Sequence, residues 1–345
     1  MPASIPSTAR ALVLDEYVLD HVAAVRSLHV EERTVPTPGP GQVLVRVEAA
    51  ACNPSDLIFL TGSYVSAKEL PSAPGWEGAG TVVASGSGLF GRYLRGRRVA
   101  FGSLETSDGS WGEYCLTDAM RCIPVAKDVT TEQAADLIVN PMTALAMLSE
   151  ARRGGHHAAI STAAASQLGR MVLALSKRED YPVIHTVRRA EQADLLRSLG
   201  ADHVLDSSTP TFATDLTAKA RELRATIAFD AIAGDSPGQL LEAMPPRSRV
   251  LVYGVLAGSR EMSVDVGPVL ANASGLEGFY LVHWVEQAGP LRLLMAARKV
   301  QRLFANGTFE TQIARRVSLE DAAEGIGAYM NDMTAGKTLI CPAKK

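Results

Sequence analysis

The sequence has few of the residues that mark disulfide-rich, nucleic-acid-binding or zinc-ribbon proteins. It contains four cysteines and 6% aromatic residues among 345, and its formal net charge is −3. Four cysteines cannot form a disulfide framework in a chain of this length, and Cys115 and Cys122 lack zinc-site spacing. We therefore expect a cytoplasmic protein. The absence of a basic excess and the scarcity of aromatic rings disfavour a nucleic-acid partner.

Long hydrophobic runs are also absent. The most apolar stretch, residues 134–148, is interrupted by Asp136, Asn140 and Pro141, whereas a membrane span needs about 18–20 consecutive apolar residues. The N-terminal residues lack the charged segment and apolar core of a signal peptide. The sequence thus predicts no membrane partner.

The length predicts two domains, and the pattern of elements changes near residue 140. Before it, short strands at residues 11–14, 42–49, 81–84 and 98–101 alternate with Gly-rich turns, which indicates a barrel-like domain. After it, predicted strands alternate with predicted helices, which indicates a doubly wound parallel sheet. The strands are at residues 158–161, 182–187, 203–205, 226–232 and 249–255, and the helices at residues 166–177, 191–199 and 212–223. The remaining chain predicts a strand at 276–282, helices at 291–306 and 318–330, and a strand at 338–341.

The first strand of the α/β region leads into a turn that could bind a dinucleotide. Residues 162–169 lie between a predicted strand and a predicted helix, whose N-terminal amides can bind pyrophosphate. Only Gly169 fits the G-x-G-x-x-G fingerprint, so an ordinary strand-to-helix turn is an equal alternative. The candidate cofactor-binding residues in this turn are Ala164, Ala165, Ser166, Gln167 and Leu168.

The second strand of the same region ends in Arg188 and Arg189. An NAD-binding protein places Asp or Glu there for the ribose 2′-hydroxyl, whereas arginine suits the 2′-phosphate of NADP. The alternative is a solvated arginine pair, although the helix dipole disfavours cations at a helix N-terminus. The two arginines therefore predict NADPH as the cofactor.

Four motifs over nearly the whole chain resemble the medium-chain dehydrogenase/reductase superfamily. They are PGPGQVLV from Pro38, PGWEGAG from Pro74, GSWGEY from Gly109, and the segment from Asp321 to Leu339. The resemblance implies an α/β protein with a GroES-like β-barrel catalytic domain, residues 1–139 and 286–345. It places a Rossmann NADP-binding domain with a doubly wound parallel sheet at residues 140–285.

The zinc-dependent members of this superfamily are excluded residue by residue. Their catalytic cysteine corresponds to Asn53 and the histidine of their Gly-His-Glu segment corresponds to Trp76. Glu77 remains, but one carboxylate cannot form a three-ligand zinc site, so we expect a metal-free enzyme. Hydride transfer without zinc favours reduction of a conjugated C=C bond, in which charge spreads onto a carbonyl oxygen, over alcohol oxidation.

Three segments resemble one branch, the NADPH-dependent 2-enoyl thioester reductases of the mitochondrial fatty-acid type. They are NPSD from Asn53 with TGSY ending at Tyr64, VNPMTA from Val139, and GFYLVHW from Gly278. The zeta-crystallin-like quinone reductases share the loss of zinc but carry a different sequence at the first segment. Tyr280 stands where this branch typically has tryptophan, which indicates a diverged substrate pocket.

The resemblance implies roles for single residues. Tyr64 matches the proposed proton donor, since a phenol with a pKa near 10 is protonated at neutral pH; a surface tyrosine is the alternative. Asn53 and Thr143 could orient the nicotinamide or substrate, and turn capping is an equal alternative for Asn53. The other predicted cofactor-binding residues are Gly254, Val255, Phe279, Leu281 and Lys337, of which Lys337 could instead be solvated. The predicted substrate pocket contains Tyr64, Trp76, Tyr280 and Trp284, although aromatic residues at such spacing are more often core.

The leading hypothesis is NADPH-dependent reduction of the C=C bond of an enoyl thioester or enone by metal-free hydride transfer. The enzymatic alternative is an NADPH:quinone oxidoreductase. A non-enzymatic dinucleotide-binding or structural protein is the third possibility, and it rests on Gln167 and the missing glycines. An apolar strand at residues 276–282 would lie at the edge of the Rossmann sheet, and the resemblance implies that it pairs across a homodimer.

Overall fold

The computed structural model describes residues 5–342. They divide into two compact units, one formed by residues 5–139 and 310–342 and the other by Asn140–Phe309. The second unit therefore includes residues 286–309, which the sequence assigned to the catalytic domain.

The elements of the described chain are numbered in chain order. The strands are β1 Thr8–Val13, β2 His29–Thr34, β3 Gln42–Ala51, β4 Glu77–Ser85, β5 Arg98–Gly102, β6 Tyr114–Asp118, β7 Cys122–Pro124, β8 Ala158–Ser161, β9 Val183–Val187, β10 His203–Asp206, β11 Ala225–Asp230, β12 Arg249–Val252, β13 Gly275–Gly278, β14 Ile313–Val317 and β15 Lys337–Ile340. The helices are α1 His21–Ser27, α2 Pro54–Leu60, α3 Leu89–Leu94, α4 Thr131–Ala135, α5 Val139–Arg153, α6 Gln167–Arg178, α7 Ala190–Ser198, α8 Phe212–Leu223, α9 Ser236–Ala243, α10 Val266–Ala271, α11 Leu281–Ala305 and α12 Ala322–Asn331.

The first unit is built on a sheet with the strand order β14-β15-β3-β4-β5-β7, in which β6 pairs with the free part of β3. The pairs are antiparallel apart from β14 and β15, which run parallel. Strand β3 is central in this sheet, since it pairs with β4, β6 and β15. Its valines, Val43, Val45 and Val47, are at most 1% exposed. Both chain ends thus contribute to one sheet, since β15 lies directly beside β3.

The second unit contains a parallel sheet with the strand order β10-β9-β8-β11-β12-β13. Every residue of β8 and β9 is buried, as expected for strands covered by helices on both faces. Helix α6 packs through residues spaced three and four apart, among them Leu168, Met171, Val172 and Leu175. The predicted α/β class, with a barrel-like unit and a doubly wound sheet, is confirmed.

The region after β12 differs from the prediction. The predicted strand at 276–282 is shorter, because β13 ends at Gly278 and helix α11 already begins at Leu281. The predicted helix at 291–306 matches only the part after Pro290, where α11 kinks at Gly289 with a φ of 70°. The prediction missed the first turns because the Gly-Pro pair resembles a helix start.

Helix α11 stays with the second unit because polar side chains attach it there. Nε1 of Trp284 and Nη2 of Arg292 both donate to Oε1 of Glu150, at 3.2 and 2.7 Å. Two helical turns further on, Lys299 binds Glu179. These contacts are the physical reason why the second boundary lies after Phe309. No described helix is both long enough and apolar enough to cross a membrane.

Candidate active site

The NPSD segment begins helix α2 and ties it to β4. Asn53 has extended backbone angles (φ −114°, ψ 158°) and Pro54 occupies the first helical position, where its missing N–H costs nothing. The carboxylate of Asp56 accepts from the backbone N–H of Asn53 at 2.7 Å and from that of Trp76 at 3.0 Å. Burial raises the pKa of Asp56 to about 7. Asp56 therefore fixes the positions of Asn53 and Trp76 relative to each other.

The side chain of Asn53 belongs to a buried polar network. Its Nδ2 donates to Oε1 of Glu77 at 2.9 Å, and its Oδ1 accepts from the ammonium of Lys337. Nζ of Lys337 also donates to the carbonyl of Cys52 at 3.2 Å and lies 3.5 Å from Oδ1 of Asp136. Asn53 and Lys337 are each 1% exposed. Both polar atoms of the Asn53 amide thus form hydrogen bonds within the protein.

The charges of this network are coupled. Oε2 of Glu77 accepts from the backbone N–H groups of Ile138 and Val139, at 3.0 and 2.9 Å. Burial, together with the nearby carboxylate of Asp136, raises the pKa of Glu77 to about 8. Burial alone would lower the pKa of Lys337, but Asp136, Tyr329 and Glu77 together outweigh it, and that pKa lies above its ordinary value. One ammonium therefore balances two buried carboxyl groups.

The residues at the zinc-ligand positions do not fit a metal ion. The amide of Asn53 is bound at both ends, with a cationic ammonium against its oxygen, and the indole of Trp76 offers a donor but no ligating lone pair. Among residues 5–342, no cluster of three or more His, Cys, Asp or Glu side chains could hold a metal ion. Of the three corresponding positions only Glu77 keeps a ligating side chain, whereas catalytic zinc is held by three protein ligands.

Tyr64 packs on Trp76 within the first unit. Their ring centroids lie 5.2 Å apart with an interplanar angle of 35°, and Phe59 meets Trp76 edge-on at 5.4 Å. Nζ of Lys68 lies 5.0 Å from the centroid of the Trp76 indole and donates to the carbonyl of Ser107 at 2.8 Å. Burial lowers the pKa of Lys68 to about 8. The structure brings together two predicted pocket residues, Tyr64 and Trp76.

Lys68 is a residue that the sequence did not indicate. It follows Tyr64 by four positions in a segment without regular structure, and no motif includes it. Its proximity to Tyr64 in the chain was the only available signal.

In the second unit, the loop after β8 has the shape of a phosphate-binding turn. Ala163 has a left-handed φ of 47°, and Oγ of Ser166 caps α6 by accepting from the N–H of Gly169 at 3.2 Å. A Cβ at Gly169 would lie 2.4 Å from the carbonyl oxygen of Ala164, so only glycine allows this approach. Ala164, Ala165, Gln167 and Leu168 are buried in this turn. Residues 163–166, which precede the helix, have small side chains, as a pyrophosphate-binding turn requires, whereas Gln167 at the first helical position does not.

Other predicted cofactor residues lie at the same edge of the sheet, because they follow the carboxyl ends of parallel strands. Arg188 and Arg189 follow β9, Gly254 and Val255 follow β12, and Phe279 follows β13. Ligands of doubly wound sheets bind at this edge. A Cβ at Gly254 would lie 2.7 Å from the carbonyl oxygen of Ala231, so this backbone is also close-packed. Thr143 lies in α5 and is 6% exposed.

The two arginines after β9 are available to a ligand. Both are exposed, and neither forms an ion pair with a carboxylate in the described part of the chain. The backbone N–H of Arg188 donates to Oε1 of Gln192 at 3.3 Å, and Arg189 is the N-cap of α7 without a capping side chain. Two unneutralised guanidinium groups therefore lie near a helix N-terminus.

Two predicted site residues have other surroundings. Lys337 is enclosed in the first unit by Cys52, Asn53 and Asp136, so its ammonium is not presented to cofactor phosphates. Trp284 is 8% exposed and bound to Glu150, with the guanidinium of Arg292 4.8 Å from its ring. The alternative that Trp284 is a core residue is therefore the better description.

The remaining two residues lie at the start of α11. Tyr280 is the N-cap, and its ring meets that of His283 edge-on at 5.2 Å. Leu281 is the first helical residue and is half-buried. Their assignments to the substrate pocket and to cofactor binding stay predictions.

Comparisons with known proteins agree with both units. The alcohol dehydrogenase GroES-like domain matches residues 39–127, and the zinc-binding dehydrogenase family matches residues 167–294. The second match contains neither Asn53 nor Trp76, so its name carries no information about metal binding at these positions.

The chain is similar to full-length enzymes and structures. It is 26% identical to the mitochondrial enoyl-[acyl-carrier-protein] reductase of Bos taurus, over 97% of this chain and 89% of that protein. The crystal structure of a candidate NADPH:quinone reductase from Mesorhizobium loti is 35% identical, with a TM-score of 0.90 over 99% of this chain and 100% of that one. A mycobacterial protein solved in complex with NADPH is 25% identical, with a TM-score of 0.80 over 97% of this chain and 100% of that one.

Proposed function

Since the chain belongs to the zinc-free branch of the medium-chain dehydrogenase/reductase superfamily of oxidoreductases, we propose that it reduces the C=C bond of an α,β-unsaturated carbonyl compound with NADPH. The observation that carries this proposal is the closed network of Asn53, Glu77 and Lys337 at the zinc-ligand positions. Without a Lewis acid, a conjugated alkene is a better hydride acceptor than a simple ketone, because the charge delocalises onto the carbonyl oxygen.

The second unit fits NADPH through its own residues. Backbone amides at the start of α6 would hold the pyrophosphate, and the guanidinium groups of Arg188 and Arg189 would bind the 2′-phosphate. The close approach of Gly169 to the Ala164 backbone supports this assignment, because the third glycine of the dinucleotide fingerprint allows the same close packing of the helix. When bound, NADPH supplies the hydride for the β-carbon.

Tyr64 is the proposed proton donor to the α-carbon. Its ring rests on Trp76, so the phenol is oriented by an indole that Asp56 and Lys68 hold in place. A positioned general acid accelerates such a step by about 10²–10⁴-fold.

A quinone reductase is the second candidate function, favoured by the 35% identity to the Mesorhizobium loti structure. Both activities use hydride transfer, but they differ in the source of the proton that follows the hydride. A reduced quinone takes its proton from water, whereas protonation of the α-carbon of an enolate benefits from a positioned acid.

The experiment is a substrate panel with purified protein and NADPH, comparing enoyl thioesters, enones and quinones. We expect an enone or enoyl thioester to be reduced faster than any quinone. Tyr64→Phe should lower that turnover by about 10²–10⁴-fold and leave the NADPH dissociation constant unchanged. Tyr114→Phe is the matched control, since this tyrosine lies on β6 in the same unit.

Turnover of quinones alone, unaffected by Tyr64→Phe, would establish the second candidate instead. Failure to bind NADPH at all would support the non-enzymatic alternative.

We also propose a homodimer that pairs through β13. This strand is the edge of the parallel sheet, and α10, which precedes it, has no buried residue. Val266 and Leu270 on α10 are 61% and 76% exposed. An unpaired edge beside exposed apolar side chains needs a cover, and a second copy across a two-fold axis provides one.

A further inference from the structure

Helix α3, in the first unit, presents apolar side chains to solvent. Gly91 and Leu94 are its buried residues, so positions three apart face the interior. The opposite side carries Leu89 and Tyr93, which are 84% and 51% exposed, and Phe90, 38% exposed, flanks it. The face that should be polar in an amphipathic helix is therefore apolar here.

A neighbouring turn extends this apolar surface. Met120 is 71% exposed on the turn Ala119–Arg121, which contacts α3. A single exposed hydrophobic residue would be ordinary, but a cluster of them indicates a binding surface. The α3 patch is defined as the apolar residues Leu89, Phe90, Tyr93 and Met120 with the basic residues Arg92, Arg95, Arg97 and Arg121.

The α3 patch is strongly basic although the whole chain is slightly acidic. Residues 78–104 contain four arginines and no Asp or Glu. Arg92 and Arg95 are exposed and form no ion pair with described residues. Asp118 is the acidic residue beside the patch, 4.0 Å from Arg121. Positive charge is thus concentrated where apolar side chains protrude.

We propose that the α3 patch binds the surface of a membrane that contains acidic phospholipids. Apolar side chains that protrude can enter the boundary between headgroups and acyl chains, and arginines beside them can pair with lipid phosphates. The strength of such binding increases with buried apolar area and with attraction to anionic lipids, and this patch supplies both. The sequence disfavoured a membrane because no segment is long enough to span one, and that argument does not apply to surface binding.

A second copy of the chain fits the patch less well. Two-fold pairing would place the same surface on both sides, so that Arg92 and Arg95 of one copy would face those of the other. Like charges that meet in an interface are destabilising.

A nucleic acid fits less well for a different reason. Bases bind by stacking on free aromatic faces, but Tyr93 already stacks on Phe90 with ring centroids 6.0 Å apart. The guanidinium of Arg97 lies 4.1 Å from the same Tyr93 ring. Lipid acyl chains need no free ring face, only protruding apolar atoms.

The test is co-sedimentation of the full-length protein with vesicles. One set contains phosphatidylcholine alone and the other contains phosphatidylcholine with phosphatidylserine. We expect binding to the second set only, weakened by salt. Arg92→Gln with Arg95→Gln should weaken binding roughly 25-fold, about fivefold for each charge removed. Leu89→Ser should weaken it further through the loss of apolar contact.

Matched controls distinguish binding by the α3 patch from binding that any exposed charge or apolar side chain would cause. Arg221→Gln with Arg298→Gln removes two exposed charges from the second unit, and Leu19→Ser removes an apolar side chain that is 83% exposed. Both should leave vesicle binding unchanged. The proposal is overturned if neither vesicle set binds the protein, or if the control and patch variants behave alike. It is also overturned if light scattering shows that Leu89→Ser dissociates a dimer, because the patch then binds a second copy.

Discussion

Replacing Lys337 by methionine should destabilise the first unit by about 3–5 kcal/mol. The ammonium lies against the carbonyl of Cys52 at 3.2 Å, Oδ1 of Asn53, and Oδ1 of Asp136 at 3.5 Å. Because the side chain is 1% exposed, methionine preserves most of the packing but leaves the carboxyl groups of Asp136 and Glu77 without a cation. Removing one partner of a buried ion pair costs far more than the pair contributes.

The destabilisation caused by Lys337→Met should increase at alkaline pH. The Lys337 ammonium lowers the pKa of Glu77, which burial and Asp136 raise to about 8. In the variant that pKa rises further, so folded Glu77 keeps its proton above pH 8 while the unfolded chain has lost it. A raised folded pKa makes stability fall with rising pH until that pKa is reached. The wild type stops losing stability near pH 8 and the variant does not, so their difference should be larger at about pH 9 than at about pH 7.

Chemical denaturation followed by tryptophan fluorescence measures this effect. The chain has three tryptophans, of which Trp76 and Trp111 lie in the first unit and Trp284 in the second. In a Trp284→Phe background, the fluorescence therefore reports only the first unit. Linear extrapolation at each pH gives the free energy of unfolding.

Two variants make the result interpretable. Lys127→Met is the matched control, because Lys127 is an exposed lysine of the same first unit; it should cost less than about 1 kcal/mol. Adding Glu77→Gln to Lys337→Met should restore part of the stability and remove the extra loss above pH 8. A loss below about 1 kcal/mol, or one that is equal at both pH values, would mean that Lys337 acts by packing alone.

Three further predictions concern the cofactor, the metal and the assembly. Arg188→Ala with Arg189→Ala should weaken NADPH binding roughly 10–100-fold, because the charge-assisted contact with the 2′-phosphate is worth about 1.5–3 kcal/mol. NADH binding should be unchanged. Equal losses of affinity for both cofactors would contradict the assignment. Elemental analysis should find no stoichiometric zinc, and chelators should leave turnover intact, whereas one zinc per chain with chelator-sensitive activity would refute the metal-free site. Leu270→Asp should give a monomer by light scattering while Leu19→Asp does not, and a wild-type monomer at micromolar concentration would exclude pairing through β13.

Much of the architecture could be predicted because hydrophobic periodicity is local. The predicted helix at 212–223 has the bounds of α8, and the predicted strand at 158–161 has those of β8. The strand predicted at 276–282 was too long, since nothing in its apolar composition shows that the chain bends at Gly278 and begins a helix at Leu281. Apolar runs of this length fit a strand and a helix equally.

The candidate site was only partly predictable, because its partners are distant in the chain. The contact between Asn53 and Lys337 joins residues 284 positions apart, and no local pattern indicates it. Tyr64 and Trp76 lie in two neighbouring motifs, and the resemblance assigned both of them to the substrate pocket. Trp284 was assigned to the pocket from aromatic spacing, but its contact with Glu150 depends on how α11 packs, which spacing does not determine.

The pairing of β15 with β3 in the first sheet has a consequence for biosynthesis. Strands β1 to β7 leave the ribosome early, but β15, which pairs with Ala50 and Ala51 at the end of β3, is synthesised only after the entire second unit. Until then, the end of β3 lacks this partner, and the carboxyl groups of Glu77 and Asp136 lack the ammonium that balances them. The nascent chain can therefore complete the parallel sheet first, although domains generally fold in order of synthesis. A chain that stops before Lys337 would leave this sheet without β15 and these carboxyl groups without their ammonium.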